Sequence, residues 1–167
     1  MTYCLHAANV RHNQWYRQIA KELPGRVDQL LASEIASTVL ILAREGIHDS
    51  NFLNAVASRT SSAIGKTFQR QMEFTGRQLS MVAESFELLK EKNEGLAAAM
   101  VTTVERFPAM FTPKDLKPVL NFIASSGQGN ANFHKIVNNH ETIYEEATHW
   151  QTRRNEDHDP TNIIYSM

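Results

Sequence analysis

An all-α fold, specifically a short α-solenoid of about three helix-turn-helix repeats (about seven helices), is what this sequence predicts. Three observations predict it. Strand signals are scarce, with no Asn-Gly or Asp-Gly hairpin and no sustained apolar/polar alternation flanked by turns. Apolar residues recur at helical spacing along most of the chain. Three segments also share one register of apolar, capping and turn residues.

The pattern predicts helices over roughly 11–23, 27–45, 50–72, 76–91, 93–106, 113–126 and 131–152. Trp15 anchors the first. Leu31, Ile35, Thr38 and Leu42 make one apolar stripe in the second, and Phe52 with Val56 mark the third. Leu79, Val82, Phe86 and Leu89 define the fourth, and Leu96, Met100, Val104 and Phe107 the fifth. Leu116, Val119 and Ile123 define the sixth, and Phe133, Val137, Tyr144 and Ala147 the seventh. Residues 1–10 are read as an N-terminal extension, 11–152 as the helical-repeat domain and 153–167 as a tail. Within the tail, Asn155 to Pro160 break the pattern, and Ile163-Ile164-Tyr165 offer apolar surface to a neighbouring chain or to the last repeat.

The turns carry specific chemistry. Thr75 stands as N-cap with Gln78 three residues on, a capping box, and Phe74 and Leu79 occupy the two positions of a hydrophobic staple. Phe111-Thr112-Pro113-Lys114-Asp115-Leu116 repeats the arrangement, with Pro113 at the first helical position, where its missing N–H costs nothing. Asn93 and the stretch from Gly127 to Asn130 are read as helix ends.

Setting Leu79 over Leu116 aligns Phe74 with Phe111, Thr75 with Thr112, Arg77 with Lys114, Val82 with Val119, Phe86 with Ile123, Asn93 with Asn130 and Leu96 with Phe133, an offset of 37. Ile35 enters the same register with Leu30 at the staple, Leu42 under Phe86, Asp49 under Asn93 and Phe52 under Leu96. Trp15 then belongs to the second helix of an incomplete preceding unit. Phe52 to Leu79 is seven residues longer than Leu96 to Leu116, which predicts two extra helical turns. One helix pair cannot cover its own apolar stripe, so repeats of this length stack.

Composition narrows the function classes. Apolar residues are 42% and charged residues 21% of 167, with only 7 Gly and 5 Pro, which excludes a disordered or low-complexity chain. The single cysteine, Cys4, forms no intramolecular disulfide, and with no C-x-x-C pair the chain fits a reducing compartment. A net charge of -1 gives no global field for gripping nucleic acid, so any such partner requires a local basic face. No run approaches eighteen apolar residues, so no membrane contact is expected. The first acidic residue is Glu22, preceded by Arg11, Arg17 and Lys21, the asymmetry of an organelle-import sequence.

The spacing Phe-Thr-x-x-x-Leu-x-x-Val-x-x-x-apolar, followed by Asn-x-x-Leu or Asn-x-x-Phe, resembles the helix-pair repeats of organellar RNA-binding proteins. These are the octotricopeptide and heptatricopeptide repeats and the helical region of the FAST-kinase-like proteins. The resemblance spans about Trp15 to Trp150. It implies a solenoid in a mitochondrion, with a plastid or the cytoplasm as alternatives, that binds RNA along the first helices of its pairs or sits in an organellar ribosome or RNA-processing complex. About three units and no RAP-type domain favour a fixed subunit of a larger particle, whose partners are ribosomal RNA and neighbouring protein subunits, over an autonomous RNA reader.

Candidate RNA-binding residues are Lys66 and Arg70 in the long helix, Arg77 and Lys114 at equivalent repeat positions, and Lys117 one turn on. A cation recurring at the second helical position would meet successive phosphates, which sets affinity and register rather than sequence preference. For enzymes, Glu45-x-x-His48 and Glu146-x-x-His149 are the two halves of a di-metal carboxylate bundle, but Gly46 interrupts the first. Cys4 with His6, Ser61-Ser62 and Ser125-Ser126 lack an orienting partner or a nucleophile elbow, and no glycine-rich phosphate loop precedes a helix. The expectation is therefore a non-enzymatic chain without cofactor, metal or small-molecule substrate. A protein-binding solenoid adaptor without RNA contact is the alternative, and a metal-carboxylate helical bundle the third reading.

Overall fold

A computed structural model describes residues 13–66, 73–146 and 148. Among them the chain is all-helical and contains no strand. The helices are α1 (Asn13–Glu22), α2 (Ala32–Arg44), α3 (Ser50–Lys66), α4 (Gly76–Leu88), α5 (Glu94–Arg106), α6 (Pro113–Ser125) and α7 (Ala131–Asn138). Short 3-10 helices over Pro24–Gln29 and Pro108–Met110 join α1 to α2 and α5 to α6.

The hairpins α2–α3, α4–α5 and α6–α7 share one construction. Phe74 and Phe111 precede the N-caps Thr75 and Thr112, and both are buried, as are Leu79 and Leu116 at the fifth position beyond. Thr75 accepts from Gln78 N–H at 3.3 Å while its own N–H donates to Gln78 Oε1 at 2.9 Å, closing the capping box. At Thr112 the acid is one methylene shorter, so Asp115 instead accepts the threonine hydroxyl at 2.7 Å. In α2 the N-cap is Leu31, which has no acceptor; Glu34 supplies half a box by accepting Leu31 N–H at 2.9 Å.

The three first helices also end alike, in Schellman motifs. Gly46, Lys90 and Gly127 hold φ of 67°, 55° and 68°. The following N–H groups of Ile47, Glu91 and Gln128 donate to the carbonyls of Leu42, Phe86 and Ile123 at 2.9, 2.9 and 3.1 Å. Two residues later come Asp49, Asn93 and Asn130. Each Oδ1 accepts the N–H of Phe52, Leu96 or Phe133 at 2.9 Å. Asn93 thus caps the start of α5 rather than closing α4.

Hairpins of one design stack in two rows. The first helices run in the order α2, α4, α6, with α4 between its two neighbours, and the second helices in the order α3, α5, α7, with α1 against α3 and the first 3-10 helix. This is the packing order expected of a short α-solenoid. Val39, Val82, Val119, Phe86, Phe122, Leu96, Met100 and Val104 are sealed from solvent between the rows. Phe86 meets Phe122 edge to face at 5.5 Å across α4 and α6, a contact worth about 0.5–1.5 kcal/mol beyond its buried area. Gly76 sits where a Cβ would come within 2.3 Å of the Met110 carbonyl oxygen, so the start of α4 lies directly on the turn that leads into α6.

Several expected boundaries are corrected. The second helix begins at Ala32 rather than 27, because Pro24-Gly25 opens a 3-10 segment and Leu31 turns to ψ 153°. The long third helix reaches Lys66, and residues 67–72 lie outside the described ones. The 17 described residues of α3 already exceed the 13 of α5 by about one turn, and the stretch that would carry the rest of the expected extra length lies outside the described residues. The last helix breaks at Asn139, whose side chain bonds the Lys135 carbonyl at 3.1 Å, and helix resumes over 140–146. There the buried His140 ring lies 3.0 Å from the Pro108 carbonyl, tying this segment to the second 3-10 helix. Both the N-terminal extension and the tail, with Cys4, His6 and Ile163 to Tyr165, lie outside the described residues.

Candidate nucleic-acid interface

Because the first helices form one row, their outward positions lie side by side. The second helical position of each is Ser33, Arg77 and Lys114 in turn. Arg77 does not stand free: its guanidinium reaches Asp115 of α6 at 3.1 Å, and Asp115, mostly buried, is already fixed by Thr112. Here the cation serves as a bond between neighbouring hairpins. Lys114 and Lys117 are exposed on α6, one turn apart. Pro118, lacking an N–H, leaves the Lys114 carbonyl without its helical donor on the same outer surface. Lys66 is the last described residue of α3 and so belongs to the row of second helices, while Arg70 lies outside the described residues. Lys66 therefore lies in a different row from Arg77, Lys114 and Lys117.

The outer surface of the first row is mixed in charge. Glu84 of α4 holds Arg44 of α2 at 2.9 Å, and Glu87 accepts the Ser125 hydroxyl of α6. At the hairpin turns, His48 Nε2 donates to Glu91 at 2.8 Å. Each contact joins consecutive units. Between α4 and α6 a shallow groove of about 260 Å³ is lined by Glu84, Glu87, Leu88, Lys117, Pro118 and Asn121, with Leu88 51% exposed.

Arg59 of α3, part-buried, grips Glu73 with two nitrogens and lies 3.8 Å from the exposed Asp28 of the first 3-10 helix. The Glu73 hydrogen bond raises the Arg59 pKa further, so this cation stays charged throughout. These three residues line a cleft of about 600 Å³ with Ser58 and Ser62.

For the metal alternative, His48 is committed to Glu91, Glu45 lies near enough to Tyr16 to act on its titration, and His149 lies outside the described residues. Among the described residues no three His, Cys, Asp or Glu side chains converge. Sequence reasoning missed the polar contacts between units, because Arg44 to Glu84 and Glu87 to Ser125 are forty and thirty-eight residues apart and follow no local spacing rule. Comparison with protein families, curated proteins and solved structures finds no match to this chain.

Proposed function

We propose that this chain is a non-enzymatic helical-repeat subunit of an organellar ribonucleoprotein, a mitochondrial ribosome or RNA-processing particle, in which its stacked hairpins contact RNA and neighbouring proteins. The observation that carries this reading is the thrice-repeated hairpin, with an αL residue and an Asp or Asn cap at the same places in each copy. Repetition of that kind builds an extended surface of equivalent outward positions rather than one enclosed pocket. Exposed Lys114 and Lys117 supply cations on that surface. A net charge of -1 favours the adaptor alternative, so on the ribonucleoprotein reading RNA contact comes from local cations rather than from the chain's overall field.

A second reading is a protein-binding adaptor. The groove with exposed Leu88 beside Pro118, rimmed by Glu84 and Glu87, favours it. One experiment separates the two: sedimentation of the tagged chain from mitochondrial lysate with and without ribonuclease. The ribonucleoprotein reading expects co-migration with a heavy particle that collapses on RNA digestion. A free monomer, or a protein complex indifferent to ribonuclease, contradicts it, and the second of these outcomes is what the adaptor reading expects.

A further inference from the structure

The repeat register assigns no role to the cations of α1. Arg17 and Lys21 stand one turn apart on α1 and line a cleft of about 380 Å³ with Ala20, Gly46, Ile47, His48 and Asp49. The structure gives a carboxylate partner to Arg44, Arg59 and Arg77. Among the described residues, Arg17 and Lys21 have neither a hydrogen bond nor an ion pair. Like charges at this spacing repel along a helix, and the residues flanking them on the same face, Gln14 and Gln18, are neutral. Glu22, the nearest acid in sequence, is turned to Gln18 at 2.6 Å.

Across the cleft, His48 is oriented by Glu91, and Asp49 is the one carboxylate in the lining. Its Oδ1 is engaged with Phe52 N–H, and the positive end of the 17-residue α3 lies beside it, so its charge is partly offset. No acidic residue occurs in the sequence before Glu22. The cleft therefore combines two cations that have no ion pair among the described residues with enough room for a phosphodiester.

We infer that this cleft between α1 and the α2–α3 turn, through Arg17 and Lys21, seats a backbone phosphate of single-stranded RNA. The inference rests on the ribonucleoprotein reading above and places the phosphate contact on the hairpin-turn side of the first unit, away from Lys114 and Lys117. The guanidinium supplies a planar pair of donors to two phosphate oxygens, and the ammonium adds a compact charge. Neither group reads a base, so the site contributes affinity and position.

The test is fluorescence anisotropy with a labelled 20-nucleotide oligouridine between 50 and 200 mM salt. Wild type, R17Q/K21Q and K114Q/K117Q are compared, each shown folded by circular dichroism. R17Q/K21Q is expected to weaken binding at least tenfold at 50 mM salt and to flatten the log-log salt dependence by about 1.4, at roughly 0.7 for each cation removed from a single strand's phosphates. The milder K21Q should flatten it by about half as much. K114Q/K117Q removes the cations proposed above on the outer surface of the first row, so it is expected to weaken binding as well, and the two losses should add. Wild-type affinity in R17Q/K21Q overturns the cleft while leaving the ribonucleoprotein reading intact, and so does a loss confined to K114Q/K117Q. Absence of binding by the wild type at 50 mM salt overturns the cleft together with the claim of direct RNA contact.

Discussion

Three residues in the left-handed region end the three first helices, and only Lys90 among them is not glycine. A side chain there costs about 1–2 kcal/mol against the following carbonyl, which glycine escapes. Lys90→Gly should therefore stabilise the protein by about 0.5–1 kcal/mol, the gain reduced by removing a cation near a helix C-terminus. Gly127→Ala should destabilise it by about 1–2 kcal/mol. Urea unfolding of both variants measures the pair, and opposite signs are the expected outcome. Tyr16 gives a second test at this scale. Its hydroxyl is buried without a hydrogen-bond partner among the described residues, and burial, reinforced by Glu45, pushes its pKa above 10.0. The unfolded chain then ionises first, so the contribution of Tyr16 to stability is complete below about pH 10 and is lost as pH rises from there through the higher folded value. Tyr16→Phe should flatten the alkaline fall in melting temperature. At pH 7 it should leave stability unchanged or raise it by about 1 kcal/mol, because no hydrogen bond is sacrificed.

At the scale of elements, the close approach between hairpins is concentrated at Gly76. A methyl group there meets backbone, the Met110 carbonyl, which cannot swing aside as a flexible side chain would. Gly76→Ala should cost about 1–3 kcal/mol as an overpacking change, measured by thermal unfolding. Gly95→Ala is the control; the nearest atom to its added Cβ is the Asn93 side chain at 3.6 Å. The elements themselves are largely legible in the sequence. Thr75 with Gln78 and the apolar spacings of Leu79, Val82 and Phe86 are local signals, and the structure has the capping box and the buried stripe where those signals place them. Less legible is the end of α4, since Lys90 adopts a conformation for which its own identity gives no cue and which only alignment with Gly46 and Gly127 exposes. The start of α2 is misread because Val27 and Leu30 continue an apolar spacing that Pro24 and Gly25 have already bent into a 3-10 turn. The cations illustrate the limit most clearly. Arg77 and Lys114 are equivalent by register, yet Asp115 neutralises one and not the other, and only the packing of α4 on α6 decides which. Arg17 and Lys21 carry no repeat signal, and their cleft forms only when α1 meets the α2–α3 turn.

At the scale of the molecule, everything depends on each hairpin covering its neighbour. α4 packs extensively on both α2 and α6, while no comparable packing joins the outer two first helices to each other. Stability in such a row is a sum of unit terms and nearest-neighbour interfaces. Mutations in α2 and α6 should then add, and mutations in adjacent helices should couple. The RNA and partner readings inherit this geometry, because a shared surface of equivalent positions exists only while the row stays in register. The most direct measurement is the coupling energy from a double-mutant cycle in urea between Val39→Ala in α2 and Val119→Ala in α6, set beside the cycle between Phe86→Leu and Phe122→Leu. The row predicts additivity within about 0.3–0.5 kcal/mol for the distant pair and a coupling of about 0.5–1.5 kcal/mol for the adjacent aromatic pair. Coupling of Val39 to Val119 as strong as that between the phenylalanines would mean that the first helices converge on a common centre, and would contradict the stacked arrangement.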